Sequence, residues 1–189
     1  MKTEYEVRVL DINKELLEKK LVALGAKKVA EFDYKRRVYD FNPRSDNKWI
    51  RLRTDGEKTT LTIKEVENKN IDGTKESEIM VSSFEETNIM LNKMGYFSHS
   101  YQESKRTRYL LDEVEIDFDT WPYIPTYMEV EGNSVKEVET TLERLDINKE
   151  EVTSLDVQTV FNKFYKIDVA KMPELKFGME LEEKYKIKD

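Results

Sequence analysis

The stretch EYEVRV at residues 4–9 alternates strictly between charged side chains and apolar or aromatic ones. Because successive side chains of a β-strand point to opposite faces, Glu4, Glu6 and Arg8 share one face, and the tyrosine and two valines share the other. The stretch therefore predicts a strand over residues 3–10 whose charge lies entirely on one side.

The same division recurs along the chain. The polar or charged sides of five later segments carry Trp49 with Arg51 and Arg53; Thr60, Thr62 and Lys64; Glu76 and Glu78; Glu113, Glu115, Asp117 and Asp119; and Glu129 and Glu131. In all, this periodicity predicts about eight strands, over residues 3–10, 28–40, 48–54, 58–66, 74–81, 100–111, 112–119 and 126–131. Asp-Gly turns at residues 55–56 and 72–73 favour antiparallel hairpins between neighbouring strands.

Helical periodicity appears in four other segments. They cover residues 13–24, 83–94, 134–145 and 156–164. Ser83 with Glu86 and Ser134 with Glu137 have the spacing of capping boxes, and Gly25 and Gly95 stand where helix C-cap glycines belong. The apolar stripes of these helices can cover the apolar side of the sheet.

The charged face of the sheet has two interpretations. In a half-exposed sheet the charges simply face water. Alternatively, eight antiparallel strands close into a barrel, with helices on the outside and the charges inside. Such a lumen is stable only if it is wet, mutually paired or filled by ions. We predict an α+β fold built on this eight-stranded antiparallel barrel, or tunnel, with the half-exposed sheet as the alternative.

Composition narrows the class of partner. The 189 residues are 38% charged, against about 25% in an average domain, yet the net charge is only -7. An acidic total argues against long nucleic acid. The lack of cysteine excludes disulfides and thiolate zinc sites and fits a reducing compartment. No apolar run approaches the ~18 residues of a membrane span, so we expect a cytoplasmic protein, and homodimer formation stays open.

Paired carboxylates predict a metal site. The two Glu-x-Glu pairs are Glu4 with Glu6 and Glu129 with Glu131, joined by Asp117 or Asp119. These oxygen ligands suit Mg²⁺ or Mn²⁺, which commonly bridge carboxylates to substrate phosphates. Any one pair alone is more typical of a solvated strand face, so the prediction depends on both pairs meeting.

Basic residues on the same faces predict a phosphate site. Arg51 and Arg53 can donate bidentately to phosphate oxygens. Further positive charge comes from Arg8, Lys64, Arg106 and Arg108. Phosphoryl transfer asks mainly for positioning and electrostatic stabilisation, so such a cage with a metal is sufficient and needs no nucleophilic side chain. We expect Glu4, Glu6, Arg8 and Lys64 to be the catalytic residues.

Other templates fit less well. His99 is the only histidine, and we interpret it as a surface loop residue. The glycines form no GxxxxGK phosphate loop, which excludes a P-loop fold. The basic run Lys35-Arg36-Arg37 is split between two faces by alternation and is interpreted as a solvated strand segment.

Six segments follow one another in an informative order. They are Glu4-Tyr5-Glu6-Val7-Arg8, Arg51-Leu52-Arg53, Leu61-Thr62-Ile63-Lys64, Glu76 with Glu78, Lys105-Arg106-Thr107-Arg108-Tyr109, and Asp117 with Glu129-Val130-Glu131. Together they resemble the CYTH family of triphosphate tunnel enzymes, which includes class IV adenylyl cyclases, thiamine triphosphatases and inorganic triphosphatases. The resemblance implies a single tunnel domain over residues 1–189 that holds a triphosphate, with the acidic residues binding metal.

Two features depart from that family pattern. Arg8 replaces a lysine; it keeps the charge but is planar and hard to deprotonate, so we expect it to act through contact with phosphate and not by proton transfer. The stretch TWPYIPT at residues 120–126 replaces the usual approach to Glu129, and its two prolines should redirect the chain at one tunnel mouth.

The expected function is hydrolysis of a tripolyphosphate or an organic triphosphate such as thiamine triphosphate or ATP. Cyclisation of ATP to cyclic AMP and pyrophosphate is the alternative, and it also needs a base-recognition pocket that the sequence does not locate. A nucleotide or polyphosphate binder without turnover is the second alternative.

Overall fold

A computed structural model describes residues 1–45 and 47–188, and within them the chain forms ten strands and four α-helices. The strands are β1 (Lys2–Val9), β2 (Lys27–Asp40), β3 (Lys48–Thr54), β4 (Thr59–Val66), β5 (Thr74–Val81), β6 (Ser98–Leu111), β7 (Val114–Thr120), β8 (Tyr127–Gly132), β9 (Val152–Thr153) and β10 (Glu174–Leu175). The helices are α1 (Lys14–Ala23), α2 (Phe84–Lys93), α3 (Val135–Arg144) and α4 (Val157–Tyr165). All eight predicted strands and all four predicted helices are confirmed.

The first eight strands close into a barrel. Their order is β2-β3-β4-β5-β1-β8-β7-β6, every neighbouring pair is antiparallel, and β6 pairs with β2 to complete the ring. The predicted tunnel is therefore confirmed, and the half-exposed sheet is wrong.

The helix ends follow the sequence signals. Ser83 and Ser134 each accept a backbone N–H bond from the residue three positions later. The side chain of Glu137 reaches back to the backbone nitrogen of Asn133, one residue before the cap. Gly25 has a φ of 91°, a left-handed conformation that favours glycine directly after α1.

The apolar core lies between the barrel and its helices. On one side Val7 and Ile116 of the barrel pack with Leu21 of α1 and Val138 of α3. On another side, α2 covers β3 and the end of β2. With their apolar faces covered in this way, the strands turn their charged faces inward. None of the helices in the described ranges is long and apolar enough to cross a membrane.

A third apolar cluster joins the C-terminal segment to one barrel end. Trp121, from the proline-containing stretch, packs there with Phe161 of α4 and with Tyr185. The segment after Met172, whose order the sequence does not predict, contributes β10, which pairs in parallel with β6. The side chain of Leu175 is buried in the same cluster.

Candidate functional site

A cavity of about 420 Å³ occupies the inside of the barrel. Of the predicted site residues, Glu6, Arg8, Arg51 and Lys64 line it. The start of α4 also lines the cavity and partly covers it. Arg8 holds the start of α4 in this position, because its guanidinium donates to the backbone oxygen of Leu155 at 2.8 Å.

Three arginines and three carboxylates form an ion-pair network across β1, β6, β7 and β8. Its members are Arg8, Arg106, Arg108, Asp117, Asp119 and Glu129. Arg106 contacts Asp117 and Asp119 at 2.6 Å and Glu129 at 2.9 Å. Such short, multiple contacts are charge-assisted hydrogen bonds, so the charges of this network are compensated internally.

Arg8 and Arg108 complete the ion-pair network at its two sides. Arg108 contacts Asp117 at 2.7 Å, and Arg8 contacts Glu129 at 2.7 Å and Glu6 at 2.9 Å. Burial would raise the pKa of Glu129, but Arg8 and Arg106 outweigh it and hold that pKa well below its usual range. Glu129 is therefore a charged partner of two arginines.

An arginine cluster is formed on the inner faces of β2 and β3 by Arg36, Arg51 and Arg53, of which Arg36 and Arg51 line the cavity. Arg51 reaches only distant partners, with Glu78 at 3.3 Å and Glu76 at 3.5 Å. The closest carboxylate to Arg53 is Glu78, at 3.9 Å. These distances exceed those of good hydrogen bonds, so the cluster carries positive charge that the protein compensates poorly.

The surroundings of the arginine cluster keep its charge exposed to the cavity. Arg36 stands directly opposite Arg53 in the register of β2 and β3, and like charges in that position repel. Burial and the neighbouring arginines lower the pKa of Arg36 to about 9 and that of Arg53 to about 10. The guanidinium of Arg53 stacks 4.5 Å from the ring centroid of Tyr34, which leaves its N–H edge free. An anion in the cavity would relieve the repulsion.

Glu4, Glu6 and Glu131 form an acidic cluster on β1 and β8. Glu6 and Glu131 stand opposite each other in the antiparallel register, so two like charges meet on the inner face. Lys64 donates to both carboxylate oxygens of Glu4, at 2.8 and 2.9 Å. Glu131 forms no hydrogen bond or ion pair within residues 1–45 and 47–188.

The electrostatics of the acidic cluster fit a divalent cation. Burial, with repulsion from Glu6, Glu129 and Glu115, raises the pKa of Glu131 to about 7. Burial raises the pKa of Glu4 to about 8, because Lys64 only partly offsets it and Glu6 and Glu76 add to it. Carboxylates crowded in this way repel one another when they are ionised. Mg²⁺ or Mn²⁺ prefers such oxygen ligands and would neutralise their negative charge.

The five predicted metal ligands do not all converge. Asp117 and Glu129 are bound by arginines, whereas Glu4, Glu6 and Glu131 form the acidic cluster. No three acidic or histidine side chains of the described ranges are gathered at metal-binding distances. The metal site therefore stays a prediction. The predicted phosphate residues divide as well: Arg51 and Arg53 are poorly compensated, Lys64 lies beside the acidic cluster, and Arg8, Arg106 and Arg108 belong to the ion-pair network.

Two interpretations of the sequence need correction. Arg36 is not on a solvated strand segment; it lines the cavity, and the parity of its position, shared with Tyr34, was the available signal. His99 is not a surface loop residue but lies in β6, half-buried, with its Nδ1 3.6 Å from a carboxylate oxygen of Asp40. Burial lowers the pKa of His99.

Comparison with known proteins agrees with this geometry. The CYTH domain model matches residues 2–173. The PH1012 protein of Pyrococcus horikoshii OT3 superposes with a TM-score of 0.71 at 20% identity, over 81% of this chain and 96% of that one. A candidate adenylate cyclase from Vibrio parahaemolyticus superposes with a TM-score of 0.72 at 12% identity, over 85% and 98%.

A third similar structure is HpAC1 from Hippeastrum, a candidate adenylyl cyclase described as having a dominant triphosphatase activity. It superposes with a TM-score of 0.57 at 14% identity, over 86% of this chain and 95% of that one. At these identities the likeness shows the fold. Among curated proteins, no sequence matches this chain.

Proposed function

The chain belongs to the CYTH family, and we propose that it is a divalent-metal-dependent enzyme that hydrolyses a triphosphate held inside its barrel. In this proposal Arg51 and Arg53 of the arginine cluster bind phosphate oxygens, the acidic cluster holds Mg²⁺ or Mn²⁺, and Lys64 lies between them. The substrate is tripolyphosphate or an organic triphosphate such as thiamine triphosphate or ATP.

One observation carries the proposal: two poorly compensated groups of opposite charge reach the same cavity, the arginine cluster through Arg36 and Arg51 and the acidic cluster through Glu6. The arginine cluster lacks close carboxylates, and the acidic cluster contains Glu131 without a partner in the described ranges. Burying ions without partners costs several kcal/mol each, so this arrangement is expected only where a ligand supplies the missing charges. A triphosphate with a bound metal ion supplies both signs together.

The side chains of this chain would bind and orient the reacting groups. Arg51 and Arg53 would hold phosphate oxygens and stabilise the negative charge that moves onto the leaving oxygen as the P–O bond breaks. Glu4, Glu6 and Glu131 would hold the metal ion. When bound there, the metal supplies Lewis-acid polarisation of phosphoryl oxygens and lowers the pKa of an attacking water.

The ion-pair network has a supporting role in this proposal. Arg106 and Arg108 are already bound to carboxylates, so their contact with phosphate would be secondary to holding the inner face of β6 and β7 together. Arg8 borders the cavity, and it would bind phosphate only by sharing its contacts with Glu6 and Glu129.

Product identity tests the reaction. Purified protein with Mg²⁺ or Mn²⁺ is given tripolyphosphate, thiamine triphosphate and ATP, and the products are separated by chromatography. Orthophosphate, with pyrophosphate or the matching diphosphate, is the expected result. If the products from ATP are cyclic AMP and pyrophosphate, the reaction is cyclisation and not hydrolysis. If the protein binds these compounds without forming any product, it is not an enzyme for them. The description of HpAC1 as mainly a triphosphatase supports the hydrolytic result.

The metal assignment has its own test. Glu4→Gln combined with Glu6→Gln should reduce metal-dependent turnover by at least about 1,000-fold, because two oxygen ligands lose their charge. The matched control is Glu113→Gln with Glu143→Gln, which removes two exposed carboxylates outside the barrel. Unchanged metal-dependent turnover in the Glu4 and Glu6 variant would show that these residues do not hold the metal.

A further inference from the structure

Two motifs without a role in the proposed function meet inside the barrel. Arg36 belongs to the basic run at residues 35–37, and Trp121 belongs to the proline-containing stretch. The guanidinium carbon of Arg36 lies 4.4 Å from the centroid of the Trp121 ring. One of its terminal nitrogens donates to the hydroxyl of Ser104 at 2.7 Å.

Arg36 is the least compensated arginine of the cavity. It forms no ion pair with any carboxylate in the described part of the chain, and its Nε is buried without a hydrogen-bond partner there. Its neighbours across the strands are Arg53 on β3 and Gln102 on β6, neither of which is acidic. The lowered pKa of Arg36 agrees with this geometry, since both burial and the nearby arginines disfavour its charge.

The indole that stacks on Arg36 is held rigidly. The Nε1 of Trp121 donates to the hydroxyl of Tyr127 at 3.0 Å, and the ring of Phe161 packs edge-on at 6.0 Å between centroids. Stacking on a fixed ring restrains the plane of the guanidinium and leaves its N–H edge free to meet an anion. This arrangement pre-organises a guanidinium whose hydrogen bond within the described residues is the one to Ser104.

The position of Arg36 defines what it can reach. In the eight-strand ring, β2 is the fourth strand from β1 in both directions, so Arg36 faces the acidic cluster from the opposite wall. Both Arg36 and Glu6 line the same cavity. A metal ion at the acidic cluster and a phosphate at Arg36 would therefore lie on opposite sides of one substrate.

We propose that Arg36 binds a phosphate group of the substrate on the wall remote from the acidic cluster, and that Trp121 positions its guanidinium. This inference rests on the proposed function and deepens it. It extends phosphate binding to a residue outside the Arg51-Leu52-Arg53 segment. It also gives the stretch at residues 120–126 a role in substrate affinity.

Arg36→Gln tests the binding role against Arg37→Gln. Arg37 is the adjacent residue, also stacks on aromatic rings, and points outside the barrel towards Phe84 and Tyr101. The dissociation constant for tripolyphosphate is measured by titration calorimetry with chelator present, so that the ligand is not hydrolysed, and kcat/KM is measured with Mg²⁺. Loss of a charge-assisted contact should weaken binding about 10- to 100-fold in Arg36→Gln. Arg37→Gln should stay within about twofold, because its guanidinium lies near Phe84 and Tyr101 on the other face of β2 and does not line the cavity. Thermal unfolding of both variants is the control that they fold.

Trp121→Phe tests the positioning role. It keeps an apolar ring but weakens the stacking on Arg36, so tripolyphosphate binding should fall about 3- to 10-fold. Because a general packing defect would act in any background, the variant is also combined with Arg36→Gln. We expect no further loss of affinity in the double variant, since the group that Trp121 positions is already absent.

The outcomes separate the two proposals. If the wild-type protein binds and hydrolyses tripolyphosphate and Arg36→Gln matches Arg37→Gln, the phosphate role of Arg36 is overturned while the proposed function stands. If Trp121→Phe weakens binding equally in both backgrounds, the positioning role is overturned. If the wild-type protein binds no triphosphate at all, the proposed function falls, and the role of Arg36 falls with it.

Discussion

The arginine cluster and the ion-pair network each place three arginines inside the same barrel, yet their environments differ. Contacts between arginine and carboxylate are 2.6 to 2.9 Å in the network and 3.3 to 3.9 Å in the cluster. Strand register causes the difference. Arg108 stands opposite Asp117 across β6 and β7, whereas Arg53 stands opposite Arg36 across β2 and β3. Register therefore decides which inward arginines support the barrel and which are left for a ligand.

Substitution of Arg106 should have the largest effect on stability. Arg106→Gln leaves Asp117, Asp119 and Glu129 buried with fewer cations, and breaking a buried ion pair from one side costs about 3 to 5 kcal/mol of unfolding free energy. For a chain of this length that corresponds to a fall in Tm of about 10 °C. Differential scanning calorimetry measures it. A Tm within about 2 °C of wild type would mean that the network does not stabilise the barrel.

Substitution of Arg51 should affect turnover while leaving the fold unchanged. Arg51→Gln removes a donor to the substrate phosphates, and the loss of one such preorganised group lowers kcat/KM by about 100- to 1,000-fold. Its contacts with Glu76 and Glu78 are long, so Tm should change by less than about 3 °C. Steady-state kinetics beside calorimetry gives both numbers. A large loss of Tm with normal turnover would reverse the roles of the two groups of arginines.

Substitution of Glu131 should give a smaller, pH-dependent change in the metal-free protein. Its pKa is raised to about 7, so between about pH 4.5 and 7 the folded state binds more protons than the unfolded state. The raised pKa of Glu131 therefore stabilises the folded state fully below about pH 4.5, and this stabilisation is lost as the pH rises through about 7.

Glu131→Gln removes that loss, because the amide stays neutral at every pH. With chelator present, the variant should be more stable than wild type at pH 8 by about 1 to 3 kcal/mol, and equal to it near pH 4.5. Thermal unfolding across this pH range measures the difference. Added Mg²⁺ should narrow the gap at pH 8, and a variant less stable than wild type there would contradict the burial of an uncompensated charge.

Much of the barrel could be predicted from charge parity. Alternation in residues 4–9 already places Glu4, Glu6 and Arg8 on one face, and the four helices begin at side chains that cap them. The step from one-sided strands to an inward charged face depended on helices that could cover the apolar side. Each of these signals is local in the sequence.

Features that depend on distant partners could not be predicted. Parity places Arg51 and Arg106 on equivalent inner faces, but only the pairing of strands shows that Arg106 meets Asp117, Asp119 and Glu129. The C-terminal segment lacks periodicity, and its order comes from contacts of Leu175 and Tyr185 with residues far away in the chain. The parity of Arg36 is a weak signal, because a basic run such as residues 35–37 is more typical of a solvated strand segment.

The bond between Arg8 and the backbone oxygen of Leu155 joins residues 147 positions apart, and it has a consequence for folding during synthesis. β1 is synthesised before its partners β5, β8 and β9, and β8 and β9 follow more than a hundred residues later. Until β8 is made, the future lining of the tunnel stays in water, where its charges are not yet desolvated. We expect that lining to be desolvated in one late, slow step, as is typical of long-range strand pairing. In that step the opposite charges of β1 and β8 meet as water leaves.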